Sequence, residues 1–419
     1  MQSIQEKLKQ IQSDEEEKTI EYIRSYLGKN SKVLDISNKY LIKEAFDYFL
    51  AALMNHFTTF NTHKSLILEN CLLNSKLLIK LMNSLNNLKI RHNITTFDIA
   101  NNQIELTEKL AEKISKFYEN SFSSKLITLI LQGNLISSAG VITKLISLKR
   151  DFKELSLYDT RLSSEALLSL SEILAKNKVI LKLDLSYNPT AFTSSEVVHT
   201  FGISIGINQH IESLNLSGNS SLQKDLVFIK FLSGLSNNKS LQELIIGNLN
   251  IKDRSVKIIG KIIFPQMPLM ILDLQSNCLT SKGIEILLNS LSCFITSLDV
   301  SYNDFRSNLV LETFGRYFKS TRTLRKLNIS YSVELHHLNL SSLEVFCKGI
   351  TENISLGELW CEGMKIGDDP DEFCTKVGEA ISNRKHSLTF KISAVNCFAG
   401  SQNTTFISHK SSKHDFKFA

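Results

Sequence analysis

The sequence has little proline, a single tryptophan and no long apolar run. Four prolines among 419 residues are too few for a long linker between domains. No stretch reaches the roughly 18 to 20 consecutive apolar residues of a membrane span, and the start, from Met1 to Tyr22, lacks the apolar core of a secretory signal. We therefore expect a soluble protein in a reducing compartment.

The signatures of common catalytic and metal sites are also missing. The sequence has no glycine-rich phosphate loop and no nucleophile elbow, and its seven cysteines include no C-x-x-C pair. The spacing of Cys347, Cys361, Cys374 and Cys397 fits reduced core thiols better than zinc ligands. A solvated loop explains the histidine pair at 336–337 better than a ligand role. These absences predict a non-enzymatic protein without a metal or cofactor.

A short motif recurs through almost the whole chain. Phe152–Leu162 (FKELSLYDTRL), Ile180–Thr190 (ILKLDLSYNPT) and Leu269–Leu279 (LMILDLQSNCL) follow the pattern L-x-x-L-x-L-x-x-N-x-L with substitutions. A period of 26 (129 to 155) to 32 residues (34 to 66) leaves room for a strand and a full helix. The first residues of the L-x-L pairs are Leu34, Leu66, Phe97, Leu129, Leu155, Leu183, Leu214, Leu244, Leu272, Leu298, Leu327, Leu359 and Phe390.

This pattern predicts an α/β leucine-rich-repeat solenoid of about 12 to 13 repeats. The expected shape is a horseshoe with a parallel concave β-sheet and convex α-helices. Side chains alternate along each strand, so Leu183 and Leu185 should enter the core while Lys182 and Asp184 face solvent. An asparagine three residues after the second leucine can bond the backbone of the following turn. These asparagines are Asn102, Asn134, Asn188, Asn219, Asn277 and Asn303.

The repeat divides the chain into three segments. Residues 1–30 are strongly charged and carry a helical apolar stripe, which predicts an N-terminal helical cap. Residues 31–395 form the solenoid, in which the segment Ser332–Asn339 loses the asparagine and predicts an irregular turn. Residues 396–419 are expected to be a C-terminal cap and a flexible tail. Helices are predicted, among other places, at Glu105–Tyr118, Ser195–Ile207, Ser281–Leu291 and Asn308–Phe318.

The repeats resemble the ribonuclease-inhibitor-like class of leucine-rich repeats. The resemblance rests on Leu155–Leu174, Leu183–Asn188, Leu214–Asn219 and Leu272–Leu291, and it covers about residues 33–395. The class includes nuclease inhibitors, innate immune receptors, GTPase activators and virulence factors. Abundant Lys, Asn, Ile and Ser, with few Gly and Pro, is similar to leucine-rich-repeat effectors that intracellular bacteria of the Legionella type inject into host cells. That similarity implies a virulence effector, translocated into the host cytoplasm, that binds a host protein.

The outward strand positions are predominantly acidic although the whole chain carries +6. This favours a protein partner with a basic surface and disfavours nucleic acid. The alternative is that aspartate between the leucines is simply common in this repeat type. The acidic positions are Asp35, Glu69, Asp98, Glu154, Asp184, Glu243, Asp273, Asp299, Glu358 and Glu362, and the basic ones are Lys182, Lys326 and Lys391.

Aromatic residues lie at or just after these outward positions. Tyrosine and tryptophan bury much area at low entropic cost and are frequent hot spots of interfaces. The alternative is that the rings only pack on their neighbours. The predicted partner-binding residues are Trp360, Glu358, Glu362, Tyr158, Tyr187, Tyr302, Tyr331, Glu154, Asp184, Glu243, Asp273 and Asp299.

Two other functions stay open from the sequence. A GTPase activator on this fold uses an arginine at the rim of the repeats to steady phosphate charge, and Arg161 is the candidate. A ubiquitin-ligase adaptor needs an adaptor motif, which neither terminal segment shows. Self-association through an open end of the solenoid or through the helix face is a third alternative.

Overall fold

The structure, a computed structural model, describes residues 2–27, 32–59, 64–87, 94–119, 128–146, 152–265, 267–367, 369–396 and 404–410. The chain divides into two compact units, Met1–Ser204 (the N-terminal unit) and Ile205–Ala419 (the C-terminal unit). None of the described helices is long and apolar enough to cross a membrane.

Short strands recur along the N-terminal unit and pair in parallel. The main sheet has the order β1-β2-β3-β5-β7-β8, and β4 and β6 pair separately. Leu34 lies opposite Leu66, Leu66 opposite Phe97, and Leu129 opposite Leu155. The strands are β1 (Val33–Asp35), β2 (Ser65–Ile67), β3 (Thr96–Asp98), β4 (Glu105–Leu106), β5 (Thr128–Ile130), β6 (Leu135–Ile136), β7 (Glu154–Ser156) and β8 (Lys182–Asp184).

A helix precedes the first strand, and most strands are followed by a helix. Ser163 caps α6, because its hydroxyl accepts a hydrogen bond from the Ala166 amide at 3.2 Å. The helices are α1 (Gln2–Leu27), α2 (Lys43–Thr59), α3 (Ser75–Asn87), α4 (Glu108–Glu119), α5 (Ala139–Ile146), α6 (Ser164–Leu174) and α7 (Ser195–Ile207), which runs across the boundary between the units. The predicted helix start at Glu105 is wrong, because Glu105–Leu106 belong to β4 and α4 begins at Glu108.

The first helix lies against the beginning of the sheet. Ile23 of α1 is fully buried, and the Tyr22 hydroxyl donates to the Asp35 carbonyl oxygen at 3.4 Å. The predicted segment boundaries at residues 30 and 395 stay predictions.

The C-terminal unit repeats the same alternation and ends differently. Its strands are β9 (Ser213–Asn215), β10 (Glu243–Ile245), β11 (Ile271–Asp273), β12 (Ser297–Asp299), β13 (Lys326–Asn328), β14 (Glu334–Leu335), β15 (Glu358–Ile366), β16 (Thr389–Asn396) and β17 (Thr404–Lys410). Its helices are α8 (Asp225–Leu235), α9 (Asp253–Ile262), α10 (Ser281–Ser290), α11 (Leu309–Ser320), α12 (Leu340–Glu352) and α13 (Pro370–Ser382). Strands β9 to β13, β15 and β16 are parallel neighbours, whereas β17 is antiparallel to β16.

Two parts of the C-terminal unit differ from the sequence prediction. Where an irregular turn was expected over Ser332–Asn339, Glu334–Leu335 form β14 and pair with the end of β15. Ser332 replaces the expected asparagine, since its hydroxyl donates to the Val300 carbonyl oxygen at 2.7 Å. Where a flexible tail was expected, residues 404–410 form β17; residues 397–403 and 411–419 lie outside the described residues.

The core is built from the leucine positions that the sequence marks. The first residue of every predicted L-x-L pair lies in a strand of the main sheet, and all of them, from Leu34 to Phe390, are buried. Burying a leucine side chain stabilises a fold by about 1.5 to 3 kcal/mol. This confirms the α/β repeat architecture.

The predicted asparagines bond the turns from inside the core. Asn102 is buried, and its amide donates to the carbonyl oxygens of Leu68 and Ile99 at 2.8 and 2.9 Å. Its carbonyl oxygen accepts from the amides of Cys71 and Leu73 in the preceding repeat. One asparagine side chain therefore satisfies backbone groups of two repeats at once.

Candidate interaction surface

Each main-sheet strand from β1 to β13 is followed by a turn residue in the left-handed backbone conformation, and in β15 the corresponding residue, Gly363, lies at a register shift within the strand. This turn position lies four residues after the first leucine of the repeat, and its φ ranges from +47° to +70°. Glycine and asparagine tolerate the conformation, whereas it costs a bulky side chain about 1 to 2 kcal/mol. The position is occupied by Asn38, Asn70, Asn101, Gly133, Asp159, Tyr187, Gly218, Asn248, Ser276, Tyr302, Tyr331 and Gly363.

Two of the three tyrosines at this position stack on each other in the C-terminal unit. The rings of Tyr302 and Tyr331 are 4.8 Å apart between centroids and 12° from parallel. Their residues are 54% and 51% exposed. A side chain at Gly363, the next turn position, would overlap the ring of Tyr331. The absence of a side chain at Gly363 therefore allows Tyr331 to lie flat against this turn.

The N-terminal unit has a second tyrosine pair. Tyr187 occupies the turn position after β8, and its ring lies 5.1 Å from that of Tyr158 with an interplanar angle of 53°. Glu154 of β7 forms an ion pair with Lys182 of β8 at 2.8 Å. The structure thus brings Tyr158 and Tyr187 together where β7 and β8 end.

Trp360 lies on the sheet face of the C-terminal unit, defined as the outward side chains that flank the buried leucines. It is 36% exposed, and the Lys391 ammonium lies 5.1 Å from its ring centroid in a cation–π contact. Trp360 borders a depression of about 130 Å³ that Asp299, Asn328 and Glu358 also line. The ring is therefore part exposed beside the depression and part covered by Lys391.

The predicted acidic excess does not lie beside Trp360. Lys326 pairs with Glu358 at 2.9 Å and Lys391 with Glu362 at 3.9 Å, so the two carboxylates that flank Trp360 already have basic partners. With Lys182 on Glu154, all three bases of the sheet face are paired. Within the described residues, seven of these acids have no basic partner: Asp35 on β1, Glu69 after β2, Asp98 on β3, Asp184 on β8, and Glu243, Asp273 and Asp299 on β10 to β12.

Burial, together with carboxylates on the neighbouring repeats, disfavours the ionised form of two aspartates on the sheet face. Burial, with Asp299 and Glu243 on the neighbouring strands, raises the pKa of Asp273 from 3.8 to about 6. In the N-terminal unit burial, with Glu69 and Asp35 nearby, raises the pKa of Asp98 from 3.8 to about 6. Ionisation of these two aspartates therefore opposes folding at neutral pH.

Replacing Asp273 with asparagine is expected to stabilise the C-terminal unit at pH 7 to 8 by about 1 kcal/mol, allowing for partial solvent screening. The folded-state pKa of about 6 exceeds the ordinary value of 3.8, so the wild type loses stability as pH rises from about 4 through 6. Asp273→Asn should flatten this loss. Asn215 and Asn328 already occupy the same position and accept the same amide bond through Oδ1.

Urea unfolding from pH 4 to 8, followed by Trp360 fluorescence, measures this effect. The control is Glu285→Gln on α10, which removes a carboxylate from the helix side of the same unit. Equal pH profiles for Asp273→Asn and wild type would contradict the prediction.

A family model described as Leucine Rich repeat matches residues 266–287, which include β11 and the first part of α10. The strands, asparagine turns and helices described above show the same repeat on both sides of this segment.

Both units have the α/β leucine-rich-repeat fold.

No curated protein matches this chain. Among solved structures, it is similar to the tropomodulin C-terminal domain of Caenorhabditis elegans, with 16% sequence identity and a TM-score of 0.27. The similarity covers 46% of this chain and 93% of that chain.

The candidate arginine, Arg161, is exposed on a turn of the leucine-rich-repeat array. It borders a depression of about 300 Å³ that Gln103, Glu105 and Asp159 also line. The two carboxylates of this depression oppose binding of a phosphate group. Leu72 and Asn250 have the same left-handed backbone at corresponding positions, so the repeat turn itself explains the conformation of Arg161.

The cysteines and histidines are dispersed through the repeats. Cys71, Cys361 and Cys374 are buried, Cys347 is half-buried, and Cys278 and Cys293 are exposed; all six are free thiols, and Cys397 lies outside the described residues. Burial raises the pKa of the Cys71 and Cys347 thiols to about 12, so neither forms a thiolate nucleophile at neutral pH. Histidines 336 and 337 are exposed after β14. Across the described residues, no group of His, Cys, Asp and Glu could hold a metal ion.

Proposed function

We propose that this protein is a non-enzymatic interaction scaffold that binds a protein partner through the sheet face and turns of its C-terminal unit. The observation that carries the proposal is the group of exposed aromatic residues on three consecutive repeats: Tyr302 after β12, Tyr331 after β13 and Trp360 on β15. Exposed tyrosine and tryptophan on a rigid framework are the usual anchors of protein interfaces.

The proposed partner has a basic surface. Glu243, Asp273 and Asp299 lie on consecutive strands, and within the described residues no lysine or arginine pairs with them. A basic partner would relieve the mutual repulsion of these carboxylates, and the field would speed encounter. Glu358 and Glu362 flank Trp360 and contribute less net charge, since lysines neutralise them.

The tyrosine pair of the N-terminal unit is proposed as a second contact region. It comprises Tyr158 and Tyr187 with Glu154 and Asp184 on β7 and β8. Paired Glu154 contributes little net charge, so the rings and Asp184 would supply most of the contact.

The proposal extends to the class of partner. The composition and the repeat-only organisation resemble effectors of intracellular bacteria, which supports a host protein as the partner and the host cytoplasm as the place of action. A protein that binds rather than converts its target needs a rigid surface more than a catalytic cavity, and leucine-rich repeats supply such a surface.

The test is capture from a eukaryotic cell lysate on the immobilised full chain. Trp360→Ala should reduce the amount of a captured partner at least about tenfold, because truncation of a hot spot costs about 2 kcal/mol or more. Glu243→Lys should also reduce the amount of captured partner, and this reduction should be larger at low salt than at high salt. The matched control is Phe294→Ala, which removes a 54% exposed ring from the loop between α10 and β12.

Circular dichroism and urea unfolding should first show that the variants are equally folded. Equal capture by wild type and Trp360→Ala would refute the assignment of this surface. Loss of capture with Phe294→Ala, but not with Trp360→Ala, would place the interface at the loops that lead into the strands.

A further inference from the structure

We propose that the stacked rings of Tyr302 and Tyr331 bind a proline-rich segment of the partner in the polyproline II conformation. This inference rests on the proposed function and specifies the chemistry of one segment of the partner. Three features of the ring pair support it: its exposed surface, the charges around it, and its backbone conformation.

The ring pair offers apolar edges and free hydroxyl donors. Both residues are about half exposed, and Gly363 continues the surface beyond Tyr331 without a side chain. Within the described part of the C-terminal unit, neither hydroxyl has a hydrogen-bond partner. Polyproline II segments dock on exposed aromatic rings, and their carbonyl oxygens have no internal donors. The two hydroxyls could therefore donate to backbone carbonyls while the pyrrolidine rings pack on the aromatic edges.

Three acidic residues around the ring pair have basic partners, and the unpaired Asp299 lies on β12 in the sheet face. Asp304, two residues after Tyr302, pairs with Arg306 at 2.6 Å. Glu334, three residues after Tyr331, pairs with Lys365 at 3.2 Å. Glu362 of β15, whose carbonyl oxygen accepts from the Tyr331 amide, pairs with Lys391 at 3.9 Å. A basic or an acidic segment would therefore find little uncompensated charge here, and an uncharged segment fits best.

The backbone conformation of both tyrosines is unfavourable for their residue type. Their φ angles are +54° and +56°, in the left-handed region that a bulky side chain disfavours. Asparagine occupies the same position in four other repeats, at residues 38, 70, 101 and 248. Because asparagine suits this turn better than tyrosine, the rings contribute something other than stability. Strained backbone of this kind is typical of residues retained for binding.

The experiment uses the full chain and a fluorescein-labelled decaproline peptide, followed by fluorescence anisotropy up to millimolar protein. Wild type should bind decaproline, and Tyr302→Asn and Tyr331→Asn should each weaken binding by about tenfold. The same two variants should have a higher Tm than wild type, because asparagine relieves the turn. A purely structural role for the rings would instead lower the Tm.

Asn248→Gly is the matched control, since it changes the same turn position without removing a ring, and its decaproline affinity should equal that of wild type. Gly363→Ala should weaken binding, because the added methyl group displaces the ring of Tyr331. Absence of decaproline binding to wild type would overturn the inference, and so would binding that persists in both tyrosine variants.

A labelled decalysine peptide separates this inference from the proposed function. If decalysine binds and decaproline does not, with binding lost in Tyr302→Asn, the ring pair is a cation site and the inference is wrong. If partner capture depends on Trp360 but decaproline does not bind, the inference fails while the proposed function stands.

Discussion

Replacement of Asn188 with alanine is expected to destabilise the N-terminal unit by about 3 to 5 kcal/mol. Asn188 is fully buried, and its Oδ1 accepts from the amides of Thr160 and Leu162 at 3.1 and 2.9 Å. Its Nδ2 donates to three backbone carbonyl oxygens. Alanine would leave these groups buried without partners, and each such loss costs about 1 to 3 kcal/mol before relaxation. The three carbonyls belong to Leu157, Leu185 and Ser186.

Amide hydrogen exchange is the appropriate measurement, because repeat arrays can open locally. The amides of Thr160 and Leu162 should lose most of their protection in Asn188→Ala. Asn83→Ala on the exposed side of α3 is the control, and it should change stability by no more than about 0.5 kcal/mol. Unchanged protection of the two amides would show that water replaces the side chain.

The core and the asparagine turns could be predicted from the sequence because both are local in origin. Alternation along a strand places Leu183 and Leu185 on one side whatever the neighbouring repeat contains. The asparagine at position 188 recurs at a fixed offset from them, so the motif marks it directly. A single copy of the motif is a weak indication, but its recurrence at a regular period predicts the fold.

Features that depend on contacts between repeats could not be predicted in the same way. The pairing of Lys326 with Glu358 needs the register of β13 against β15, which the sequence gives only once the sheet is built. The sequence therefore lists the acids and bases of the sheet face but does not reveal that the carboxylates beside Trp360 have basic partners. The antiparallel β17 interrupts the repeat and carries no leucine motif.

The loops that return from helix to strand hold a second set of asparagines that the motif does not include. Asn238 is fully buried, its amide donates to the Asn208 carbonyl oxygen, and its Oδ1 accepts from the Leu241 amide. Asn353 and Leu356 repeat this arrangement. Asn177, Asn208, Asn238 and Asn353 each lie three residues before a buried residue whose amide they bond, and this recurrence in four repeats is visible in the sequence.

The tyrosines illustrate the difference between position and conformation. Their place just after the strands was predicted, and the structure shows Tyr302 and Tyr331 stacked and exposed there. Their left-handed backbone was not predicted, since no local rule selects tyrosine for such a turn. A residue type that contradicts its local conformation is the feature most useful for proposing function.

Helices α11 and α12 pack backbone against backbone at two glycines. A methyl group at Gly349 would overlap the carbonyl oxygen of Gly315, and one at Gly315 would overlap the carbonyl oxygen of Val345. Both glycines are buried within their helices. Main-chain atoms cannot rotate away as a side chain can, so either substitution must separate the helices.

Gly349→Ala is therefore expected to destabilise the C-terminal unit by about 3 kcal/mol, although alanine alone favours a helix over glycine by about 1 kcal/mol. The steric overlap outweighs the gain in helix propensity, because two packed helices must move apart to relieve it. Gly357→Ala is the matched control, since its added methyl group would meet only the Arg325 carbonyl oxygen at 3.6 Å. Trp360, the single tryptophan, reports unfolding of this unit in urea. Equal urea unfolding midpoints for Gly349→Ala and Gly357→Ala would contradict the close approach of α11 and α12.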